Sequence, residues 1–354
     1  MTAASRVLID MLYPGMFPER FANVEELEEF MSTPSQALID DMARVDGDIM
    51  ILGVAGKVGV TLARLAQRAA PSKTIIGVAR FSDSEERRKL DSWGIETVKC
   101  DLLDRDAVNA LPKLPNIIYM AGKKFGTDGA EDFTWAMNTY SPALAGEAFP
   151  DARIVAFSTI LIYPWVDPMH GGSTEDVAPM AQPGEYANSV IGRERIVQYF
   201  SRKNNAPGKL IRLCYAVDMR YGVLHELANW VLKGEAINLG TGHVNVIWQG
   251  DASSQALRSL LHCTVPATPI NISGPETVSV RTLASEFGKI FGKTPVFAGA
   301  ESKCVFVNAG LACDLFGYPM VPLRRLVKWT ADWVSKGKPT FGKPSHFENR
   351  DGVY

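Results

Sequence analysis

Gly53, Gly56 and Gly59, in "ILGVAGKVG" (51–59), follow an apolar run directly and open a helical pattern. Glycine allows positive φ and lets a backbone approach a ligand closely. At a strand-to-helix junction, that spacing suits a pyrophosphate cradled by the N–H groups and dipole of the helix near residue 58. Ala55, Lys57 and Val58 lie inside the turn and are expected on the cofactor. A tight turn that needs small residues only for packing is the alternative. The next apolar run ends in "GVARFSD", with Arg80 where an NAD site would carry an acidic residue for the ribose. An arginine there pairs with a 2′-phosphate, and Lys57 adds charge, so NADP is preferred over NAD. A solvated surface arginine is the competing reading.

The surrounding pattern alternates. "DIMILGV", "KTIIGVAR", "ETVKCDLLD", "NIIYMAG", "RIVAFSTILIY" and "GKLIRLCYAV" read as strands, and helical segments separate the earlier ones. This predicts an α/β Rossmann-type fold, a doubly wound parallel sheet covered on both faces. Residues 47–218 are expected to form the NAD(P)-binding domain, and 219–354 a smaller, mainly substrate-binding lobe with a C-terminal tail. Residues 1–46 read as a helical extension of two short helices. Thr33 before Pro34 is the expected N-cap of the second, and Leu38, Ile39 and Met42 its apolar face.

The 354 residues carry 37 Lys and Arg against 39 Asp and Glu, with no long basic run, which argues against a nucleic-acid partner. No apolar stretch reaches membrane-spanning length and no signal-peptide pattern begins the chain, so a cytoplasmic protein without a membrane partner is expected. Five scattered cysteines without a C-x-x-C pair read as reduced thiols, and the five histidines lack metal-ligand spacing, so no metal is expected.

With these pieces the chain resembles an extended short-chain dehydrogenase/reductase, the family of NAD(P)-dependent sugar epimerases and dehydratases, over roughly residues 48–335. The glycine turn matches. "CDLLD" places Asp101 and Leu102 where the family contacts adenine, and "YMAG" places Met120, Ala121 and Gly122 beside the cofactor. Asn138 in "WAMNTYSP", Asp251 in "NVIWQGDAS" and the segment "NISGPETVSVRTLA" follow in the family's order. The resemblance implies Thr159 as the Ser/Thr that polarises the reacting oxygen, with Ser158 as the alternative one register away. It implies Tyr186 in "GEYANSVIGRERI" as acid/base and cofactor contact. A homodimer through the Tyr186 helix and the Asn138 helix is implied as well.

The Lys of the family's Y-x-x-x-K motif is replaced by Val190. A phenol has an ordinary pKa of about 10, and a neighbouring ammonium lowers it. Three readings follow. Another cation substitutes, with Arg193 on the Tyr186 helix or Lys123 and Lys124 after "MAG" as candidates. Or the substrate's reacting proton is already acidic. Or the protein binds NAD(P) as a catalytically weak regulatory or scaffold protein. Ile160 and Leu161 follow Thr159 where a 4,6-dehydratase carries acidic residues, which argues against that elimination. Lys123, Tyr163, Arg220, His243, Asn245 and Trp248 are the candidate substrate contacts. The favoured function is an NAD(P)-dependent epimerase or oxidoreductase, acting by hydride transfer at a secondary alcohol of a sugar, sugar acid or nucleotide sugar.

Overall fold

A computed structural model describes residues 17–180 and 182–352. Residues 1–16 of the N-terminal extension and the last two of the tail lie outside them. β1 (Ile49–Leu52), β2 (Ile75–Ala79), β3 (Glu96–Lys99), β4 (Asn116–Tyr119), β5 (Arg153–Thr159) and β6 (Gly208–Leu213) join an edge strand, Thr268–Ile272, in one seven-stranded sheet. The order is edge strand, β6, β5, β4, β1, β2, β3, and every pairing is parallel. Parallel neighbours need crossovers, so helices cover both faces, and this is the doubly wound α/β architecture. β1 shows why the run is apolar throughout. Ile49 and Ile51 enter the core on one face, and Met50 and Leu52 enter the core on the other. "GKLIRLCYAV" splits: β6 ends at Leu213, and Ala216–Val217 pairs instead with Ile247–Trp248.

A second core lies beyond the sheet. Helices Val223–Lys233, Val280–Phe291 and Leu323–Ser335 bury Leu224, Leu227, Leu283, Phe287, Trp329 and Trp333 against one another. Helix Gln249–Arg258 links the two cores, with the buried Asp251 carboxylate accepting the Val321 amide at 3.0 Å.

The two N-terminal helices are Val24–Met31 and Gln36–Arg44. Leu27 and Met31 enter the second core, and Leu38 and Met42 the sheet core. The cap of the second helix corrects the expectation of Thr33. Ser35 caps it, its hydroxyl accepting the Leu38 amide at 3.2 Å. Thr33 instead donates to the Glu29 carbonyl and closes the preceding helix. Both residues can bond locally, and the preceding helix end, with its orphan carbonyls, takes Thr33. Among the described residues no helix is long and apolar enough to cross a membrane.

Leu38 is fully buried against the sheet core, so Leu38→Ala leaves a cavity there. We expect a loss of about 2–5 kcal/mol in urea unfolding, with an unchanged m-value. A loss under about 0.5 kcal/mol would mean that this helix is not part of the cooperative core.

Candidate active site

β1 and β4 are neighbours whose following connections run to opposite sides of the sheet, so their carboxyl ends diverge and leave a crevice. A cleft of about 290 Å³ opens there, lined by the glycine turn, Met120, Gly122, Lys124 and Phe125 after β4, and Phe157–Leu161 at the end of β5. Tyr186, Arg193, Tyr215, Tyr221, Gln249 and Ser345 complete the wall.

The three glycines do different work. Gly53 has φ +91°, and a Cβ on it would overlap the Ala121 backbone. A Cβ on Gly59 would overlap the Val54 carbonyl. Those two let the chain approach itself. Gly56 is exposed to the cleft, and the nearest atom to a Cβ there is the Gly53 carbonyl oxygen at 3.5 Å. Among the described residues nothing forbids a side chain at Gly56, so this face of the turn is open to the cleft. Helix Gly59–Ala69 starts there with no side-chain cap on its first N–H groups. Uncapped donors, a bare turn and a helix N-terminus fit a phosphate group.

Tyr186 is half-buried in the first turn of helix Glu185–Asn204. The Thr159 hydroxyl lies beside its phenol and favours the phenolate. Ser158 turns the other way and donates to Glu194 at 2.6 Å. Burial pushes the Tyr186 pKa above its ordinary value, opposed by the Arg193 charge and the Thr159 hydroxyl. The phenol therefore carries its proton at neutral pH.

Arg193 is buried and ties three elements together. Its guanidinium donates to the Phe157 carbonyl at 2.8 Å, to the Asn138 carbonyl at 3.2 Å and to the Asn138 side-chain oxygen at 2.7 Å. Asn138 sits in a π-helical turn, Ala136–Tyr140. Its amide also accepts from the Lys123 N–H at 2.8 Å, and donates to the Lys123 carbonyl and the Ser189 hydroxyl, each at 2.9 Å. A side chain on Gly122 would overlap the guanidinium, so the glycine of "MAG" makes room for it. Val190, the residue at the Y-x-x-x-K lysine position, is fully buried.

Several residues read from the sequence as ligand contacts are placed elsewhere. Tyr163 is fully buried, its hydroxyl held by Asn271 at 2.9 Å and Arg212 at 2.6 Å. Arg220 is buried between Asp218 and Glu28, 2.6 and 2.8 Å away. Asn245 bonds the Glu276 carbonyl and the Val307 amide. Trp248 packs on Phe30 and Trp329. His243 pairs with Ser279 in a short antiparallel ladder. The Lys123 ammonium bonds the Phe125 carbonyl. None of these six lines the cleft, because each polar group is already engaged or sits in another layer. Arg80 and Asp101 lie exposed after β2 and β3, while Leu102 is buried, and Ala55 and Ala121 lie behind the turn.

Phe125, Tyr215, Gln249 and Ser345 also line the cleft, and no motif or spacing in the sequence marks them. Tyr221 follows the candidate Arg220 directly in the sequence. Ser345 belongs to the C-terminal tail, which crosses the cleft mouth. The Ser345 hydroxyl donates to Glu226 at 2.9 Å, and the Ser345 carbonyl accepts from Lys124 at 3.1 Å.

Residues 49–260 match the model of the NAD dependent epimerase/dehydratase family. No curated protein sequence matches the chain. Solved structures share its fold. UDP-glucuronic acid 4-epimerase from Bacillus cereus, in complex with UDP-glucuronic acid and NAD, is 18% identical at TM-score 0.67, over 82% of this chain and 99% of that one. UDP-glucose 4-epimerase from Thermotoga maritima is 16% identical at TM-score 0.67, over 82% and 99%. dTDP-glucose 4,6-dehydratase from Bacillus anthracis, in complex with NAD, is 16% identical at TM-score 0.69, over 82% and 97%.

The glycine geometry separates folding from binding. Gly56→Ala is expected to keep the thermal midpoint within about 2 °C and to weaken dinucleotide binding at least about tenfold, by fluorescence titration. Gly59→Ala is expected to lower the midpoint by several degrees, because backbone must move. Unweakened binding in Gly56→Ala would show that the turn is bare for another reason.

Proposed function

The chain belongs to the NAD dependent epimerase/dehydratase family, and from that premise we propose that it oxidises or epimerises a secondary alcohol on a sugar, sugar acid or nucleotide sugar in this cleft. The observation that carries the reading is the Tyr186–Thr159 pair, which shares the cleft with a bare phosphate-binding turn. Gly56, the amides of Lys57 and Val58 and the start of helix Gly59–Ala69 would hold the dinucleotide's phosphates, and Met120, Gly122 and Tyr186 would flank its reactive end. When bound, it takes a hydride from the substrate carbon and can return it.

The protein's own part is proton handling. Tyr186 gives a proton to the substrate oxygen as a ketone is reduced and takes one as an alcohol is oxidised. Thr159 donates to or accepts from the same oxygen and holds it against the ring. The Arg193 charge acts on this phenol and favours the phenolate. It thus takes over the electrostatic work for which Val190 has no charge. The Ser345 segment covers the cleft and limits water. NADP is the preferred cofactor in this reading, with the exposed Arg80 after β2 directed to the 2′-phosphate. Exposed Trp135, Tyr140 and Tyr199, on the Asn138 and Tyr186 helices, support pairing of two chains there. The unpaired cysteines suit the reducing cytoplasm.

A protonated Tyr186 gives the pH dependence a definite sign. Burial raises its pKa, so the acid form persists through neutral pH and the base form appears only above the ordinary phenol range. Ketone reduction should be level from pH 6 to about 9, and alcohol oxidation should rise with pH up to and beyond about 10. Nicotinamide absorbance with a panel of nucleotide sugars and sugar acids measures both. Tyr186→Phe should lose at least about 100-fold in each direction. Arg193→Met should move the oxidation profile further alkaline, with Arg193→Lys between. Unchanged turnover in Tyr186→Phe would end the redox reading. Tight cofactor binding without turnover in the wild type would favour the regulatory alternative, which the uncharged Val190 supports.

Cofactor choice is tested separately. Arg80→Ala should weaken NADP about tenfold or more while leaving NAD within about twofold. Equal losses for the two would remove Arg80 from the discrimination.

A further inference from the structure

Two lysines enter the cleft from different walls. Lys57 leaves the glycine turn and lays its ammonium over the Tyr221 ring, 3.1 Å from the centroid, and 4.8 Å from the Phe125 centroid. Lys124, on the loop after β4, places its ammonium 5.1 Å from the same Phe125 ring. Both line the cavity that also holds Tyr186 and Thr159.

Their surroundings disfavour the charge they carry. Burial, then Lys124 and Lys343, bring Lys57 down to about 7, and burial brings Lys124 down to about 8. Glu226 and Asp218 are the carboxylates facing Lys57, and Glu226 and Glu348 those facing Lys124. Asp218 is taken by Arg220, and Glu226 accepts both the amide and the hydroxyl of Ser345. Among the described residues no carboxylate oxygen comes within ion-pair distance of Lys57, whose charge rests on aromatic faces. A desolvated ammonium facing a cavity is stabilised by an anion entering it. Tyr221, the platform under Lys57, has its own phenol held above the ordinary range by burial, Glu226 and Tyr186, and it lines the same cleft as the acid/base group.

We propose that Lys57, with Lys124, forms an anion subsite inside the reaction cleft, which binds a carboxylate or phosphate carried by the reacting sugar itself. This rests on the reading of the cleft as a reaction site and narrows its substrate to an acidic sugar. The anion would lie on the Tyr221 side, away from Arg80, which belongs to the opposite half of the sheet beyond β1.

Calorimetric titration of the cofactor-saturated protein with D-glucuronate, D-glucose 6-phosphate and D-glucose tests this. At least one acid should bind tenfold or more tightly than glucose, and which one does so separates carboxylate from phosphate. Lys57→Met should abolish the preference, Lys57→Arg should keep most of it, and Lys124→Met should weaken it severalfold. Tyr186→Phe should retain it without turnover. Equal affinities, no binding of any of the three, or an intact preference in Lys57→Met overturns the subsite. So does a loss confined to cofactor affinity in Lys57→Met, which would give the lysine to the dinucleotide. Failure of the redox reading looks different: the preference survives in a wild type that never turns over.

Discussion

A buried guanidinium that bonds only to carbonyl oxygens holds this site together. Arg193 reaches β5 through Phe157, the π-helical turn through Asn138 and, through Asn138, the loop after β4. A planar fork with several donors can satisfy three acceptors on two elements, which a lysine ammonium on a flexible stem does less well. No carboxylate among the described residues neutralises it, and its charge is therefore felt by the nearest titratable groups, Tyr119 and Tyr186. One side chain fixes the distance between the tyrosine helix and the sheet and sets the electrical environment of the phenol.

The parts legible in the sequence depend on local pattern. The glycine turn, the alternation of strands and helices, and the ends of β4 and β5 could be read because each is encoded by neighbours along the chain. Thr159 and Tyr186 followed from motif order, and the structure brings them together. The illegible parts depend on partners far away in sequence. Arg220 follows a strand end, as a ligand contact should, but Glu28, from the N-terminal helix, lies against it. Tyr163 and Trp248 look like wall residues until Asn271, Arg212 and Trp329 arrive from elsewhere. Lys57 was read as a cofactor group from its place in the turn. Its direction across the cleft is set by Phe125 and Tyr221, which no spacing rule connects to it.

The C-terminal tail is the clearest case of a contact that no local pattern foretells. It leaves helix Leu323–Ser335, stacks Phe341 on Arg220 and donates from the Phe341 amide and the Thr340 hydroxyl to the Arg220 carbonyl. It then passes Ser345 over the cleft and buries Phe347 in the second core. Arg350, stacked 3.8 Å over Trp165, and Gly352, against Gly184 at the start of the tyrosine helix, hold its far end. The tail is held by backbone bonds, by the Arg350 guanidinium on the Gly240 and Lys303 carbonyls and by the buried Phe347, and it brings Ser345 to the cleft wall.

The positions of the charges agree with the state of the phenol. The Arg193 charge favours the Tyr186 phenolate, while burial favours the phenol and prevails. An anion held by Lys57 in the same cleft would favour the phenol further, since like charges resist each other at short range. A cleft that receives an acidic substrate thus keeps Tyr186 protonated when the substrate is present. That is the state needed to return a proton to a carbonyl oxygen, and it makes an activating ammonium at position 190 least necessary in that direction. Oxidation of the alcohol asks the reverse and would draw on Arg193 and Thr159. The aliphatic Val190 would then suit chemistry whose demanding step is protonation of an oxygen, in a pocket whose lysines would hold the substrate.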